Sequence, residues 1–340
     1  MVARAIGGRK GFSGLRPFDI ARDLGGVAEL LERAFAGELE AADLRWLREM
    51  KALRFLAPFL WLVSVSPELY GFFPGFVWVE DNRIVGNVNV NREGPGWRHW
   101  RISNLAVHPA YRRRGIGREL MEAAIDLIRQ RGGEVVTLQV RRANTAAQRL
   151  YRSLGFALLK GTTSLKLVRV EPVAFLPAQG FPMRPWSPEE GHKVYELARA
   201  VVPARAQWLN PLREEHFTLS FERRLAERLN SLIRRQDIHR WATERGERFV
   251  ATLIVQAMGP LSTGPHRLEM MVHPDCRGLL EEALVTRALS LLGRYPQRGV
   301  ETEVPADHEE AIQTLQRYGF VEAKTLDWLG LELTRKGRRE

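Results

Sequence analysis

The chain has 340 residues, of which 45% are hydrophobic and 27% charged, a composition typical of a globular protein longer than one ordinary domain. The single cysteine, Cys276, excludes an intrachain disulfide and a cysteine-based zinc cluster, and no run of about 18 uncharged apolar residues or apolar signal region is present, so we expect a cytoplasmic protein. The net charge of +11 lies almost entirely in the first half of the chain. Residues 1–180 contain 27 Lys and Arg against 17 Asp and Glu, and residues 181–340 contain 24 against 23. This excess favours a polyanionic ligand bound by the first half.

The first half alternates helical and strand patterns. Apolar residues at helical spacing predict helices after Asp19, between Glu38 and Leu56, and over residues 116–131 and 145–154. Alternating or β-branched runs predict strands over residues 76–79, 84–90, 100–107, 135–140 and 163–170. The order is helices, a hairpin, strand-helix-strand, helix and strand, which predicts an α/β domain around a mixed sheet.

The second half repeats features of the first at an offset of about 165 residues. Four features recur in the same order: Arg16-Pro17-Phe18 as Arg184-Pro185-Trp186, Trp78 with Glu80 as Trp241 with Glu244, Val107-His108-Pro109 as Val272-His273-Pro274, and Gly155-Phe156 as Gly319-Phe320. A period this long indicates duplication of a domain rather than a solenoid. We therefore predict a first domain at 1–170, a linker rich in proline at 171–182, and a second domain at 183–340.

The most informative segment runs from a predicted strand through glycines into a predicted helix. It reads Leu105-Ala-Val-His-Pro-Ala-Tyr-Arg-Arg-Arg-Gly-Ile-Gly-Arg118. Unpaired N–H groups and a positive dipole end at the first turn of the helix would attract an anion, glycines allow close approach, and Arg112, Arg113, Arg114 and Arg118 add charge. The spacing fits neither a Walker loop nor the Rossmann dinucleotide motif, and a tight turn after a strand is the alternative.

Together, two motifs resemble the GNAT superfamily of N-acyltransferases. Arg112-x-x-Gly115-x-Gly117 after the Leu-Ala-Val-His-Pro strand end is similar to its pyrophosphate-binding signature, and Asn144-x-x-Ala147-x-x-Leu150-Tyr151-x-x-x-Gly155-Phe156 is similar to its second motif. The resemblance covers about residues 15–170 clearly and 183–334 as a weaker second copy. It implies two tandem GNAT-like domains, each a mixed, mostly antiparallel sheet flanked by helices.

The resemblance also implies roles for the matched residues. Leu105, Ala106 and Val107 would pair through their backbone with the pantetheine arm of acetyl-CoA, the donor substrate, in the gap where the fourth and fifth strands of the family separate. Backbone N–H groups from Arg113 through Gly115, Ile116 and Gly117 to Arg118 would hold the pyrophosphate, and Asn144 would bind the pantetheine. No metal is expected.

Catalysis by an enzyme of this kind is attack of an amine on the thioester. A backbone N–H near Ala106 or Val107 would stabilise the charge on the carbonyl oxygen, and Tyr151, at the family's acid position, would assist departure of the thiolate, unless it only caps its helix. The segment Arg101-Ile-Ser-Asn104 has no carboxylate where many relatives carry a glutamate, so Glu93, His99 or Asn104 acting through water are the candidate bases. Because the first half has no cysteine, direct transfer in a ternary complex is favoured. His108 is predicted to be structural.

The second copy has lost most of these features. On alignment, Arg277 corresponds to Arg112, but Leu280 and Glu282 replace Gly115 and Gly117. His308 replaces Asn144 and Leu315 replaces Tyr151. Negative charge from Glu281 and Glu282 would repel a diphosphate, so one acyl-CoA site per chain is predicted.

Three functions remain open at this point. The first is an acetyl-CoA-dependent N-acyltransferase for a small-molecule or peptide amine, the second a non-catalytic acyl-CoA-binding or sensing protein, and the third a nucleic-acid binder, which only the charge supports. Several aromatic residues suggest an apolar or aromatic acceptor, or a core or dimer face instead: Phe55, Phe59, Trp61, Tyr70, Phe72, Phe73 and Trp78. The sequence indicates neither the acceptor nor the oligomeric state.

Overall fold

The computed structural model describes residues 12–36, 75–93, 98–209, 212–217, 236–260, 262 and 264–333. The helices are α1 Ile20–Ala34, α2 Ile116–Gln130, α3 Thr145–Ser153, α4 Gly191–Val201, α5 Ala204–Leu209, α6 Glu281–Leu292 and α7 Glu309–Arg317. The strands are β1 Gly14–Pro17, β2 Gly75–Glu80, β3 Arg83–Glu93, β4 His99–Val107, β5 Val135–Arg141, β6 Ala157–Leu167, β7 Met183–Pro185, β8 Gln236–Arg245, β9 Arg248–Met258, β10 His266–Val272, β11 Val300–Pro305 and β12 Val321–Glu332. None of the described helices is long and apolar enough to cross a membrane.

The chain forms two compact units. The first contains residues 1–139, 152–156 and 330–340, and the second contains residues 140–151 and 157–329. Within the first unit the strand order is β1-β2-β3-β4-β5, antiparallel except for the β4/β5 pair. Within the second unit β7-β8-β9-β10-β11 repeat the same order and directions, and β6 and β12 follow beside β11. The predicted mixed, mostly antiparallel α/β fold is confirmed.

The units do not follow the predicted boundary at 171–182, because the two sequence copies exchange segments. The strand β6 belongs to the first copy, but it pairs with β11 over six residues, from Val300 opposite Leu167 to Pro305 opposite Thr162, and lies in the second unit. Conversely, residues 330–333 lie in the first unit, where the Leu333 N–H donates to the Glu134 carbonyl at 2.8 Å. Sequence copies and compact units are therefore different divisions of this chain.

The predicted elements of the first copy that fall in the described residues have counterparts in the structure, but β1 was not predicted, and the last strand, predicted over residues 163–170, is Ala157–Leu167. The hairpin turn falls at Asp81 and Asn82, both with positive φ, as the tight turn between β2 and β3 requires. The sixth strand begins at Ala157 rather than at the predicted Thr163. A Cβ at Gly161 would meet the Arg142 guanidinium and lie 2.9 Å from the Ala306 Cβ, so the glycine permits close packing inside a continuous strand. The predicted helix at 38–56 lies outside the described residues.

The first unit has a helix on each face of its sheet. On one face α1 packs Val27, Leu30 and Leu31 against Val77 and Ala106. On the other, α2 lies against Gly86, where a Cβ would approach Leu120 and Ile116 to within about 3 Å. These two contacts fix the end of β4 between the helices.

Candidate functional site

The end of β4 combines a bulge with an open edge. Asn87 lies opposite Ala106 and Asn89 opposite Ser103, so Asn104 and Leu105 together oppose one residue of β3, and Asn104 has φ +53°. Pairing between β4 and β5 covers three residues only, from His99 to Arg101. The backbone of Leu105, Ala106 and Val107 therefore lies beyond the part of β4 that pairs with β5, as the predicted separation of these two strands requires.

The loop after β4 leaves a series of backbone N–H groups unpaired. Arg113 and Gly115 have φ +68° and +84°, and Gly115 caps α2 without a side-chain hydrogen bond. The N–H groups of residues 113–117 have no acceptor among the described residues. Successive N–H groups around left-handed residues form a nest for an anion, and here the nest opens a helix. Of the predicted cradle, only Arg118 differs, because its N–H donates to the Gly115 carbonyl at 2.8 Å.

The four arginines of the loop are exposed, but three of them are engaged by the protein. The Arg112 guanidinium donates to the carbonyl oxygens of Val107 and Ala34, each at 3.1 Å, and so fastens the strand end to the end of α1. Arg118 donates to Ser153 Oγ at 2.7 Å. Arg114 lies 4.9 Å from the Tyr111 ring centre. Of the four loop arginines, Arg113 alone has a guanidinium without a partner among the described residues.

Two residues beside the loop have structural roles. The predicted structural role of His108 is confirmed, since its Nδ1 accepts from the Ala110 N–H at 3.3 Å and caps the short helical turn Pro109–Tyr111. Ile116 is buried against Gly86 and holds the start of α2 on the sheet. The nest of N–H groups therefore lies between a capped turn and a buried helix start.

A row of polar side chains on β3, called here the asparagine row, was not predicted. Asn87, Asn89, Asn91 and Glu93 alternate along the strand and so share the face that carries α1. Asn87 and Asn89 are buried, and the Asn87 amide nitrogen donates to Asn89 Oδ1 and to the Asn104 carbonyl, while Asn87 Oδ1 has no donor among the described residues. Three asparagines at a spacing of two in an otherwise apolar strand are the signal that could have revealed this row.

Of the candidate bases, Glu93 is held most firmly. Its carboxylate pairs with Arg101 and accepts from Thr137 Oγ1 at 3.0 Å. His99 lies opposite Glu93 on β4, and Asn104 is the bulge residue whose carbonyl accepts from Asn87. All three therefore lie on β3 and β4.

The aromatic acceptor set lies mostly outside the described residues, which contain only Trp78. The Trp78 indole N–H donates to Glu80 Oε1 at 3.2 Å, and its Cβ lies against Gly86. Gly86 faces α2, so Trp78 is on the opposite face of the sheet from the asparagine row. Its position supports packing rather than acceptor binding.

In the second unit, Asn144 directly precedes α3 and Tyr151 lies on it. Asn144 precedes the helix and its Oδ1 accepts from the Ala147 N–H at 3.1 Å, so the side chain caps α3 while its exposed amide nitrogen stays available to a ligand. Tyr151 is 6% exposed, and burial raises the pKa of its phenol to about 12. The phenol is thus protonated at neutral pH.

A buried carboxylate of the second sequence copy holds the start of α3. Asp327 on β12 is 4% exposed and accepts from the Arg142 guanidinium at 2.7 Å and from Gln148 Nε2 at 3.1 Å. Gln148 Nε2 also donates to the Arg142 carbonyl at 3.0 Å. Sequence analysis missed this network, because a lone aspartate in a distant strand has no local signal.

Comparison with known proteins agrees with this geometry. The family model described as "Acetyltransferase (GNAT) family" matches residues 33–156. N-alpha-acetyltransferase RimI of Mycobacterium tuberculosis is 35% identical over 124 residues, which are 35% of this chain and 76% of the relative. The chain belongs to the GNAT family.

Other similarities are more limited. A [ribosomal protein bS18]-alanine N-acetyltransferase of Escherichia coli is 51% identical over 55 residues, which are 16% of this chain and 37% of that GNAT relative. A solved GCN5-related N-acetyltransferase from Sphaerobacter thermophilus covers 94% of this chain and 95% of its own, with a TM-score of 0.58 and 17% identity. The last similarity shows the fold alone.

In the second GNAT copy, a carboxylate of the protein itself occupies the nest before α6. Glu281, at the start of α6, is 2% exposed, and its carboxylate accepts from the Leu280 N–H at 3.1 Å and from His308 Nε2 at 2.7 Å. Although burial alone raises the pKa of Glu281, hydrogen bonds from His308 and from the N–H groups of Glu281 and Gly278 lower it below its ordinary value. A side-chain carboxylate thus occupies the position of an external anion.

Proposed function

We propose that this protein is an acyl-CoA-dependent N-acyltransferase that transfers an acetyl group directly from acetyl-CoA to an amine in a ternary complex. The observation that carries the proposal is the nest of five N–H groups at residues 113–117 beside the open edge of β4. A diphosphate has the charge and the acceptor oxygens for such a nest. All four loop arginines add positive charge, and the Arg113 guanidinium has no other partner among the described residues.

The donor's remaining contacts follow from the family resemblance. The backbone of Leu105, Ala106 and Val107 pairs with pantetheine, and the Asn144 amide nitrogen donates to it. Successive backbone groups of a strand face opposite sides, and the His108 N–H donates to the Val85 carbonyl at 2.8 Å. We therefore assign the Val107 N–H, which faces the open side of β4, as the donor to the thioester oxygen.

The chemistry is addition and elimination at the thioester carbonyl. The amine nitrogen bonds to the carbonyl carbon, the oxygen becomes an oxyanion bound by the Val107 N–H, and the carbon–sulfur bond then breaks. With a pKa of about 12, the Tyr151 phenol is a weaker acid than a free thiol of pKa about 8.5, so it stabilises the departing thiolate by donating a hydrogen bond rather than by transferring its proton early.

The proton lost by the amine goes to a base on the asparagine row. We propose Glu93, acting through water, because it is a carboxylate on the face that carries α1 and is oriented by Arg101 and Thr137. Asn87 Oδ1, which has no donor among the described residues, lies on the same face and suits an amine N–H. A charged or polar amine therefore fits this face better than the apolar acceptor suggested by the sequence.

The acceptor is a small-molecule amine or the amine of a peptide. Two relatives are named for acetylation of an α-amine or of the alanine of a ribosomal protein, so peptide N-termini belong in the first screen. The proposal is tested by measuring thiol release from acetyl-CoA across peptides beginning with Ala, Ser or Met and a panel of small amines. Turnover with at least one amine, confirmed by mass spectrometry of the product, is the expected result.

A non-catalytic acyl-CoA-binding protein is the second candidate. It is favoured by the strand segment at 101–104, which has no carboxylate, and by the engagement of Glu93 with Arg101. Calorimetry with acetyl-CoA separates the two: tight binding without turnover of any amine supports the second candidate, and absence of binding refutes both. Salt-independent, weak association with DNA and RNA would dismiss nucleic-acid binding.

A further inference from the structure

The helix α3 has few apolar contacts that could fix its position. It contains nine residues, and only two of its side chains, Gln148 and Tyr151, are buried. The two are three residues apart and so lie on the same face of the helix. Because one of these two side chains is polar, the placement of α3 depends largely on the hydrogen-bond partner of Gln148.

That partner is Asp327, a carboxylate of the second sequence copy. Asp327 lies on β12 and is 4% exposed. One of its oxygens accepts from Gln148 Nε2 at 3.1 Å, and the other accepts from the Arg142 guanidinium at 2.7 Å. A charged acceptor with two directional donors fixes both of them more closely than apolar packing would.

The same contacts hold the turn that leads into the helix. Gln148 Nε2 also donates to the Arg142 carbonyl at 3.0 Å, and the Arg142 N–H donates to the Thr325 carbonyl on β12 at 2.9 Å. Asn144 follows two residues after Arg142, and its carbonyl accepts from the Gln148 N–H at 3.0 Å. Hydrogen bonds therefore connect Asp327, through Gln148, to the residue whose exposed amide is available to a ligand.

A glycine on β6 leaves space for this network. A Cβ at Gly161 would meet the Arg142 guanidinium and lie 3.1 Å from Asp327 Oδ1. Both distances are shorter than ordinary contacts in a packed interior, so a side chain at this position would displace the ion pair. Substitution of Gly161 therefore offers a way to disturb the network without changing a charge.

We propose that Asp327 is a positioning residue of the acyltransferase site, which holds α3 so that Asn144 reaches the pantetheine of acetyl-CoA and Tyr151 reaches the departing thiolate. The inference rests on the proposed function, which supplies acetyl-CoA as the ligand. It gives the second sequence copy a part in the reaction, although the nest of that copy is occupied by its own carboxylate.

The test is calorimetry with acetyl-CoA and steady-state turnover of the full chain, at a temperature at which every variant is folded. Asp327→Asn keeps the size of the side chain but replaces one acceptor oxygen by a donor, so it cannot accept from both Arg142 and Gln148 as the carboxylate does. It is expected to raise the Kd of acetyl-CoA roughly tenfold and to lower kcat roughly tenfold, the effect of a small misplacement. The KM of the amine should stay unchanged. Gly161→Ala should change Kd and kcat in the same direction.

Glu281→Gln is the matched control, since it also removes the charge of a buried, hydrogen-bonded carboxylate in the second unit. It should lower the stability but leave the Kd of acetyl-CoA and kcat unchanged. A double-mutant cycle then separates positioning from stability. In an Asn144→Asp background, Asp327→Asn should weaken acetyl-CoA binding by less than about twofold, because the amide that it positions is already absent.

Several results would overturn the inference. Wild-type Kd and kcat in Asp327→Asn, an equal loss of affinity in Glu281→Gln, or an undiminished effect in the Asn144→Asp background each contradicts it. Hydrogen exchange without ligand is measured in parallel, and exchange of the α3 N–H groups that is no faster in Asp327→Asn than in Glu281→Gln would also refute it. A wild-type chain that does not bind acetyl-CoA refutes the proposed function, whereas normal wild-type binding with no change in Asp327→Asn refutes this inference alone.

Discussion

The two copies of the loop after the fourth strand begin alike and end differently. In each, a histidine side chain caps a short turn through Nδ1 at 3.3 Å, and the arginine N–H donates to the proline carbonyl at 3.3 Å, for Arg112 and Pro109 in one and Arg277 and Pro274 in the other. The next residue is left-handed in both copies, with φ +68° at Arg113 and +81° at Gly278.

The copies diverge two residues later. Gly115 has φ +84° and leaves its nest open, whereas Leu280 has φ −115° and is followed by Glu281, whose carboxylate enters the nest. The strands before the loops differ too, because β4 has a bulge at Asn104 and β10 pairs with β9 without interruption. The same backbone turn can thus bind an external anion or a carboxylate of its own chain. The residues at two positions determine which: Gly115 and Ile116 in the first copy, Leu280 and Glu281 in the second.

The largest expected effect is on the filled nest. Glu281→Ala leaves the buried His308 and the loop N–H groups without their acceptor, and removing one partner of a buried pair costs about 3–5 kcal/mol. The free energy of unfolding of the second unit, measured by denaturant titration, should fall by that amount.

The same contribution should depend on pH. Because the pKa of Glu281 is lowered in the folded protein, its stabilisation is present above the ordinary glutamate value of about 4.3 and is lost as the pH falls through the lower, folded value. Glu310→Ala, on the exposed start of α7, is the control. A Glu281→Ala protein as stable as this control would mean that the nest does not need to be filled.

The second prediction places a negative charge beside the open nest. Gly117→Glu introduces the carboxylate that Glu282 has in the second copy and should weaken acetyl-CoA binding about 100-fold, or roughly 2.7 kcal/mol, by repelling the diphosphate. A glutamate in the first turn also favours the helix dipole, so α2 should remain folded. Binding is measured by calorimetry.

Gly117→Gln has the same size without the charge and should lose much less affinity. Equal losses in the two variants would show that space rather than charge closes the nest.

The third prediction compares Tyr151 with its counterpart Leu315, which is fully buried in the second copy. Tyr151→Phe should lower kcat roughly tenfold, since a hydrogen bond to a charged group contributes about 1.5 kcal/mol, and should leave the Kd of acetyl-CoA unchanged. Because the pKa of the phenol is raised to about 12, the wild-type rate should show no loss from its ionisation below about pH 11. Undiminished turnover in Tyr151→Phe would refute the proposed role.

How far the sequence alone leads differs between these features. The sequence was sufficient to predict the roles of the glycines, the arginines, and Glu281 and Glu282, because each of these residues acts within its own loop. The charge of Glu281 was foreseen, but its conformation was not: the carboxylate turns inward and accepts from its own loop, which depends on His308, 27 residues away.

Long-range pairing was also beyond the sequence. Strands β6 and β11 have the alternation of many other strands, and nothing local indicates that they pair with each other across the two copies. In the sequence Asp327 is an isolated aspartate, and only the fold brings Arg142 and Gln148 into contact with its carboxylate. The bulge at Asn104 inserts one extra residue into β4, and the alternation of side chains along a strand does not indicate where such a residue is inserted.

The smallest expected effect separates the two helix starts after the fifth strand of each copy. Asn144 caps α3 through its side chain, whereas His308 makes no such bond to α7 and instead holds Glu281. Asn144→Ala should therefore lower the free energy of unfolding by about 1 kcal/mol, the usual contribution of such a cap.

Asn144→Asp retains the capping oxygen but removes the amide that the proposal assigns to pantetheine, so it should keep the stability and still weaken acetyl-CoA binding. If Asn144→Asp binds acetyl-CoA normally, the side chain is only a cap, and the difference between the copies at this position is structural rather than a loss of ligand binding.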